Sequence, residues 1–324
     1  MKKLFKIIPI VLISFSTLVS CNDDNDNDVP YQPEPTTNTI VDIAVGSENL
    51  TTLVAALQRA DLVTTLASQG PFTVLAPSNE AFNTFLTANG FNSLDDVPTD
   101  ILTNILLNHV VGGRLASTDL TTGYASTFAT SSASQTSMSL FIDTSNGVRF
   151  NGVSSVTDAD IEADNGIVHL VDAVIGLPSV VTFAVADPTF STLVTALTRD
   201  DLTTDFVSVL STGAGTSPAP FTVFAPTNDA FGLLLTELGI SGLADIDEPT
   251  LDAVLKTHVV GGANVFDTDL SDNLTVTTLG GDLTANVTGG ATLTDSSGRT
   301  IDIIATNVQA DNGVIHAINK VILP

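Results

Sequence analysis

The stretch FTVLAPSNEAF, from Phe72 to Phe82, returns almost unchanged as FTVFAPTNDAF from Phe221 to Phe231. Other phrases return in the same order around it. LTTLVAALQRADL at Leu50 is matched by FSTLVTALTRDDL at Phe190, and NHVVGG at Asn108 by THVVGG at Thr257. ADNGIVHLVDAVI at Ala163 is matched by ADNGVIHAINKVI at Ala310. Ordered self-similarity over more than a hundred residues is the mark of a tandem duplication. It divides the chain into domain 1, residues 39–178, and domain 2, residues 179–324. The spacing between copies grows between Leu202 and Phe221, where STGAGTSPAP in domain 2 reads as an inserted loop.

One unit can be read from its local pattern. Leu50, Leu53, Val54 and Leu57 recur at helical spacing, which predicts an amphipathic helix with Ser47 as its cap. FTVLA predicts a short strand ended by Pro77. Ser78 and Asn79 then satisfy free N–H groups at the start of a helix whose apolar face holds Phe82, Phe85 and Leu86. Pro98 opens a third helix with Ile101, Leu102, Ile105 and Leu106 as its stripe. Beyond VVGG the chain turns to Thr, Ser and Val at strand spacing. Hairpins are expected around Asn146-Gly147 and Asn165-Gly166. Helices early and strands late make each unit α+β.

The first 21 residues read as a secretory signal: a basic start, an apolar middle and small residues at the end. LVSC, Leu18 to Cys21, resembles the lipobox of bacterial lipoproteins, and Cys21 is the one cysteine of the chain. No disulfide can form within the chain, so lipidation of Cys21 is the expected role of this residue. The lipid makes the membrane a partner, and a cell-envelope, outer-membrane location follows. Residues 22–38, acidic and then proline-rich, read as an extended tether. The Asp/Asn run there mimics calcium-loop spacing, but Asp28 stands where the turn requires Gly, and Pro30 and Pro33 break the loop. The run more closely resembles the surface-export signal of Bacteroidetes lipoproteins.

Thirty-six acidic residues face ten cationic ones, three of which are Lys2, Lys3 and Lys6. The formal net charge of −26 repels nucleic acid and anionic lipid headgroups, so nucleic acid is not expected as a partner.

FTVLAPSNEAF, NHVVGG and DNGIVHLVDAVI resemble the characteristic boxes of the fasciclin-like domain family, and both units carry them. The resemblance implies two tandem domains, each a β-sandwich packed against several helices. It also implies adhesion at a cell surface or in extracellular matrix, with an unidentified surface protein or polysaccharide as partner. The motif residues are Phe72, Pro77, Asn79, Phe82, His109, Asn165, Gly166 and His169 in domain 1. Their matches in domain 2 are Phe221, Pro226, Asn228, Phe231, His258, Asn312, Gly313 and His316. All are expected to be structural. In some animal members a Tyr-His pair implicated in integrin binding stands where this chain has Asn108-His109 and Thr257-His258, and no RGD occurs here. Other members carry carotenoids or similar apolar ligands between helices and sandwich, which makes a carrier of a small apolar molecule the alternative reading.

An enzyme is not expected. The four histidines, two per unit, invite a metal or general-base reading. Their apolar surroundings favour packed, hydrogen-bonded rings instead. HExxH, GxSxG, P-loop and dinucleotide fingerprints do not occur. Carboxylate pairs such as Asp158/Asp160 discriminate nothing in so acidic a chain. No cofactor or structural metal is expected.

Overall fold

The structure is a computed structural model that describes residues 38–324. The signal segment, Cys21 and nearly all of the tether lie outside the described residues.

Domain 1 begins with three short helices, α1 (Ile40–Val45), α2 (Thr51–Arg59) and α3 (Val63–Ala67), which lead to strand β1 (Phe72–Pro77). Two further helices follow, α4 (Asn79–Ala88) and α5 (Thr99–Leu107). The remaining strands are β2 (Val110–Gly112), β3 (Gly123–Thr130), β4 (Ser137–Asp143), β5 (Arg149–Phe150), β6 (Ser154–Ala163) and β7 (Gly166–Val171). Domain 2 repeats the order with α6 (Val180–Ala186), α7 (Ser191–Leu197), α8 (Phe206–Leu210), β8 (Phe221–Pro226), α9 (Asn228–Leu238) and α10 (Glu248–Thr257). It closes with β9 (Val259–Gly261), β10 (Leu274–Thr277), β11 (Asp282–Asn286), β12 (Thr292–Thr294), β13 (Thr300–Gln309) and β14 (Gly313–Ile318). Early helices and late strands make each domain α+β.

Three of the four repeated phrases meet at the centre of each domain. β1 is flanked by β2, antiparallel, and by β7, parallel, with Leu75 opposite His169 and Pro77 opposite Val171. Domain 2 pairs β8 with β9 and β14 in the same way. The strands curl around a core of their own. In domain 1 they close into a ring, completed where Val111 pairs with Thr127. In domain 2 the seven-stranded sheet stays open between β9 and β10, where Leu279 N–H donates to the Val259 carbonyl.

Alternation along β1 sorts two cores. Val74 and Ala76 face the helices, packed with Leu53, Phe82 and Leu106, while Leu75 faces Leu140, Phe150 and Val171 inside the strands. Pro77 ends the strand, and the Ser78 hydroxyl accepts from Ala81 N–H to start α4. Phe82 and Phe231 are each 1% exposed.

Four local expectations about element boundaries and turns are corrected. The first helix starts at Ile40, ahead of the expected stripe, because Thr39 and Asp42 form a capping box; Ser47 makes no side-chain cap. Ile101 is 43% exposed, at the margin of a face centred on Leu102, Ile105 and Leu106. The second hairpin turns on Asp164-Asn165, since Ala163 pairs with Gly166. Gly166 is a strand residue, and a Cβ there would lie 2.0 Å from the Phe72 carbonyl oxygen. At Gly313 the same distance to the Phe221 oxygen is 2.3 Å. Close approach of a parallel strand, not a left-handed turn, requires these glycines.

The fourth correction concerns the insertion in domain 2. It is divided between the connection from Thr198 to Asp205, ahead of α8, and the loop from Ser211 to Pro220. That loop is partly folded in: Ala219 is buried, and the Pro218 carbonyl accepts from Gly262 N–H.

Candidate functional site

The motif residues form a set of buried ties between elements distant in sequence. Asn79 does not cap its own helix as expected. Its Oδ1 accepts from Thr52 N–H at 2.8 Å and its Nδ2 donates to the Glu48 carbonyl, so it fastens the start of α2 to α4. Asn228 does the same for Thr192 and Pro188. The orphan N–H groups of one helix are thus satisfied by a side chain from another.

Asn165 and Asn312 make the longest ties. Asn165 Oδ1 accepts from Ile40 N–H at 2.9 Å, and its Nδ2 donates to the Leu66 and Ser68 carbonyls, both at 2.8 Å. Asn312 accepts from Val180 N–H and donates to Leu210 and Thr212 with matching distances. One buried amide therefore joins the start of the first helix, the end of the third and the β6–β7 or β13–β14 turn. The backbones of the same two residues take Phe72 N–H and Phe221 N–H, each at 3.0 Å.

All four histidines have both ring nitrogens engaged by backbone. His109 Nδ1 donates to the Ile105 carbonyl at 2.8 Å, and Nε2 accepts from Ile175 N–H at 2.9 Å. His258 repeats this with Val254 and Ile322. His169 Nε2 donates to Leu115 and Nδ1 accepts from Asp160 N–H. His316 uses Val265 and Asn307, and its ring stacks on Phe224 at 5.7 Å between centroids. A ring with one N–H donating and one lone pair occupied has no free nitrogen to bind a metal or take a proton from substrate. Asp160 and Asn307 both take positive φ, which turns their N–H groups onto the rings.

Burial pushes the His109 and His258 imidazoles down to about 4, opposed by the hydrogen bonds to Ile105 and Val254. Burial also lowers His316. These rings are neutral at pH 7. Their folded values lie below the unfolded 6.5. The stability that His109 and His258 contribute is complete above pH 6.5 and is lost as pH falls from there through about 4. The melting temperature is therefore expected to drop between pH 7 and 5, above the range where ordinary carboxylates titrate. His258→Gln would blunt that drop in domain 2; an unchanged pH profile in this folded variant would refute the assignment.

Three features had no local signal in the sequence. Arg114 donates to the Ala163 and Gly166 carbonyls in domain 1. In domain 2, Ala263 stands near the equivalent place, and Gln309 Nε2 donates to Ala310 and Gly313 instead. Gln309 is also half of the third feature, a buried seam between the domains. Its Nε2 donates to Ser131 Oγ and its N–H to Ser139 Oγ, both at 2.9 Å. Ser131 Oγ donates to the Ala310 carbonyl, and Ser132 N–H to Asp311. Beside them Tyr124 donates to Asp187 at 2.9 Å and meets Phe183 edge-on, while Phe141 of domain 1 joins the apolar core of domain 2. Burial, then Asp187, push the Tyr124 phenol up, so it stays protonated and keeps donating. The domains are joined as one body, not strung as beads.

Comparison with known proteins agrees with this architecture. The family model described as Fasciclin domain matches twice, at residues 48–178 and 188–324. Both matches begin after the first helix of their domain, although α1 and α6 pack into the cores. An uncharacterized protein of Synechocystis sp., sll1735, is 39% identical over 136 residues, 42% of this chain and 96% of its own length. Transforming growth factor-beta-induced protein ig-h3 of Sus scrofa is 32% identical over 257 residues, 79% of this chain but 35% of that protein. Among solved structures, a FAS1 domain pair from the insect cell adhesion molecule Fasciclin I superposes with a TM-score of 0.52 at 21% identity, covering 85% of this chain and 97% of that one. With the domain model matched in both halves over most of the chain, and the fold shared with a solved domain pair, the protein belongs to the fasciclin domain family.

Proposed function

We propose that this protein is a non-enzymatic lipoprotein of the cell envelope, attaching cells to a matrix protein or polysaccharide through its two fused fasciclin domains. One observation supports this above the others. The motif residues are spent inside the fold: amides tie helices, imidazoles tie backbone, and phenylalanines fill cores. What the molecule offers a partner is therefore its surface, held rigid across the Ser131–Gln309 seam. The solved neighbour is described as part of a cell adhesion molecule, which fits the same reading. A lipid on Cys21 would place the pair at the outer membrane, on a tether long enough to lift it clear. The acidic surface disfavours nucleic acid as the partner.

Cys21→Ser is expected to move the full chain from the membrane fraction to the soluble one, because acyl chains, not a spanning helix, would be the anchor. A variant that still sediments and resists salt washing would refute the lipid anchor. Cells displaying the wild-type chain should attach to immobilised matrix protein or polysaccharide, and soluble Cys21→Ser chain should compete. No attachment to any such surface by a folded, displayed chain would refute the adhesion reading.

A further inference from the structure

Between α5 and the loop that joins β3 to β4, domain 1 holds an open groove of about 490 Å³. Its inner wall is one stripe of α5. Thr99, Thr103 and Leu107 fall at i, i+4 and i+8, beside the buried face of the helix, with Asp100 and Asn104 next to them. Asn104 fastens the end of β3 to this stripe: its Oδ1 accepts from Thr130 N–H and its Nδ2 donates to the Thr130 carbonyl, both at 2.8 Å. The chain then swings outward through Ser131–Thr136 before β4, and Ser132 and Gln135 of this loop form the outer wall.

That outer wall belongs to domain 1 but is held by domain 2. Ser132 N–H donates to Asp311 Oδ1 at 2.8 Å, Ala133 N–H to the Asp311 carbonyl at 3.0 Å, and Ser131 Oγ to the Ala310 carbonyl. In domain 2 the same place is closed. The short β10–β11 turn lies directly on α10, where a Cβ on Gly280 would come within 2.5 Å of Thr257 N. Counted back from the matched Asn108 and Thr257, the places of Thr99, Thr103 and Leu107 are taken by Glu248, Asp252 and Lys256. Those charges are spent within the domain: Lys256 pairs with Asp252 at 2.6 Å, and Glu248 accepts from Thr203 N–H and its hydroxyl.

The chemistry of the domain 1 groove is that of a polyol. The Thr99, Thr130 and Ser132 hydroxyls and the Asp100 carboxylate have no hydrogen-bond partner among the described residues. Ile101, 43% exposed, Leu107 and Leu177 set apolar surface among them. A sugar ring has hydroxyls that both donate and accept, and C–H faces that suit such apolar surface. Asp100 is an acceptor only, and bonds from sugar hydroxyls to its charged oxygens are of the stronger kind. No Lys or Arg lines the groove, so an anionic sugar would meet Asp100 and the chain's net charge of −26 without compensation.

We infer that this groove binds a segment of a neutral polysaccharide, with Asp100 and the Thr99, Thr130 and Ser132 hydroxyls as its polar contacts and domain 2 as the support of its outer wall. The inference rests on the adhesion reading and narrows its partner to an uncharged glycan held by domain 1.

Calorimetric titration of the full chain with neutral hexasaccharides of β-1,4-glucose, β-1,3-glucose, xylose and mannose tests it, with hexagalacturonate as the charged counterpart. At least one neutral member is expected to bind with a millimolar or lower dissociation constant, to slow amide exchange in Ser131–Gln135, and to bind at least tenfold more tightly than hexagalacturonate. Asp100→Ala should weaken that binding about tenfold, as loss of a charged acceptor does. Asp100→Asn should shrink the discrimination against hexagalacturonate. Thr103→Gln lays a longer side chain across the groove at an exposed helix position and should abolish binding. Asp311→Ala removes a hold on the loop without touching the groove and should weaken binding severalfold. Ile304→Ser, on the exposed side of β13 in domain 2, should leave it unchanged. Binding of no neutral hexasaccharide at millimolar concentration overturns the site, as does undiminished binding by folded Thr103→Gln or equal binding of hexagalacturonate. Attachment of cells to a matrix protein alongside no hexasaccharide binding would remove the groove and leave adhesion standing; hexasaccharide binding without any attachment of cells would do the reverse.

Discussion

Asn312→Ala is expected to destabilise domain 2 by about 3–5 kcal/mol, since it orphans three backbone groups at once. Val180 N–H, Leu210 C=O and Thr212 C=O each lose a partner in a place that water does not reach freely. A buried polar group left unsatisfied costs about 1–3 kcal/mol, and a small cavity adds to it. The effect should spread beyond the point of substitution. The start of α6 and the end of α8 are released together, and the adjoining Asp311 belongs to the seam with domain 1. Asn312→Asp is a sharper probe. It keeps the acceptor for Val180 and the shape of the side chain, but an ionised carboxylate cannot donate to two carbonyls. Both variants should lower the denaturant midpoint of domain 2, with faster amide exchange in α6 and α8. Asn165→Ala should do the same to domain 1 through Ile40, Leu66 and Ser68. A loss below about 1 kcal/mol in either domain would show that water replaces the amide, and would remove it from its structural role.

Phe231→Ala should cost about 3–5 kcal/mol of domain 2 stability, as truncation of a fully buried aromatic ring does. The ring is 1% exposed and packs in the core that holds Phe221, Leu234, Leu251 and Leu255. Phe82→Ala should act likewise in domain 1, among Leu53, Ala81, Leu86 and Leu106. Neither ring reaches the surface. Attachment by either variant should therefore fall only as its domain unfolds, and return when temperature or denaturant is lowered enough to restore folding. Loss of attachment in a variant shown to be folded would mean that the repeated phrase is part of the binding surface, against the scaffolding reading. The thermodynamic measurement and the attachment assay must be made on the same preparation, because only their ratio separates the two explanations.

Much of the scaffold was legible in the sequence, and the reason is local. Pro77 lacks the N–H to continue a strand, and Ser78 caps the next helix through a bond to Ala81, three residues away. Asn146-Gly147 turns a hairpin within its own neighbourhood, with Gly147 at φ 79°. Leu102, Ile105 and Leu106 are buried together because helical spacing puts them on one face. The capping box of Thr39 and Asp42 is equally local, and it starts a helix ahead of the apolar stripe that begins at Leu50.

The sequence by itself determined the duplication, the order of helices and strands, the family boxes and the burial of Phe82 and Phe231, because each depends on residues a few positions apart or on the match between copies. Only the tertiary structure decided where the amides of Asn165 and Asn312 go, why Gly166 and Gly313 cannot carry a side chain, how Gln309 meets Ser131, and which domain keeps a cavity. Those are partnerships between groups separated by tens of residues up to 178, and nothing in the local pattern ranks one distant partner above another. Two copies with nearly the same wall residues then diverge: α7 ends sooner than α2, a longer connection precedes α8, and the space between helices and sheet is about 140 Å³ in domain 2 against about 10 Å³ in domain 1.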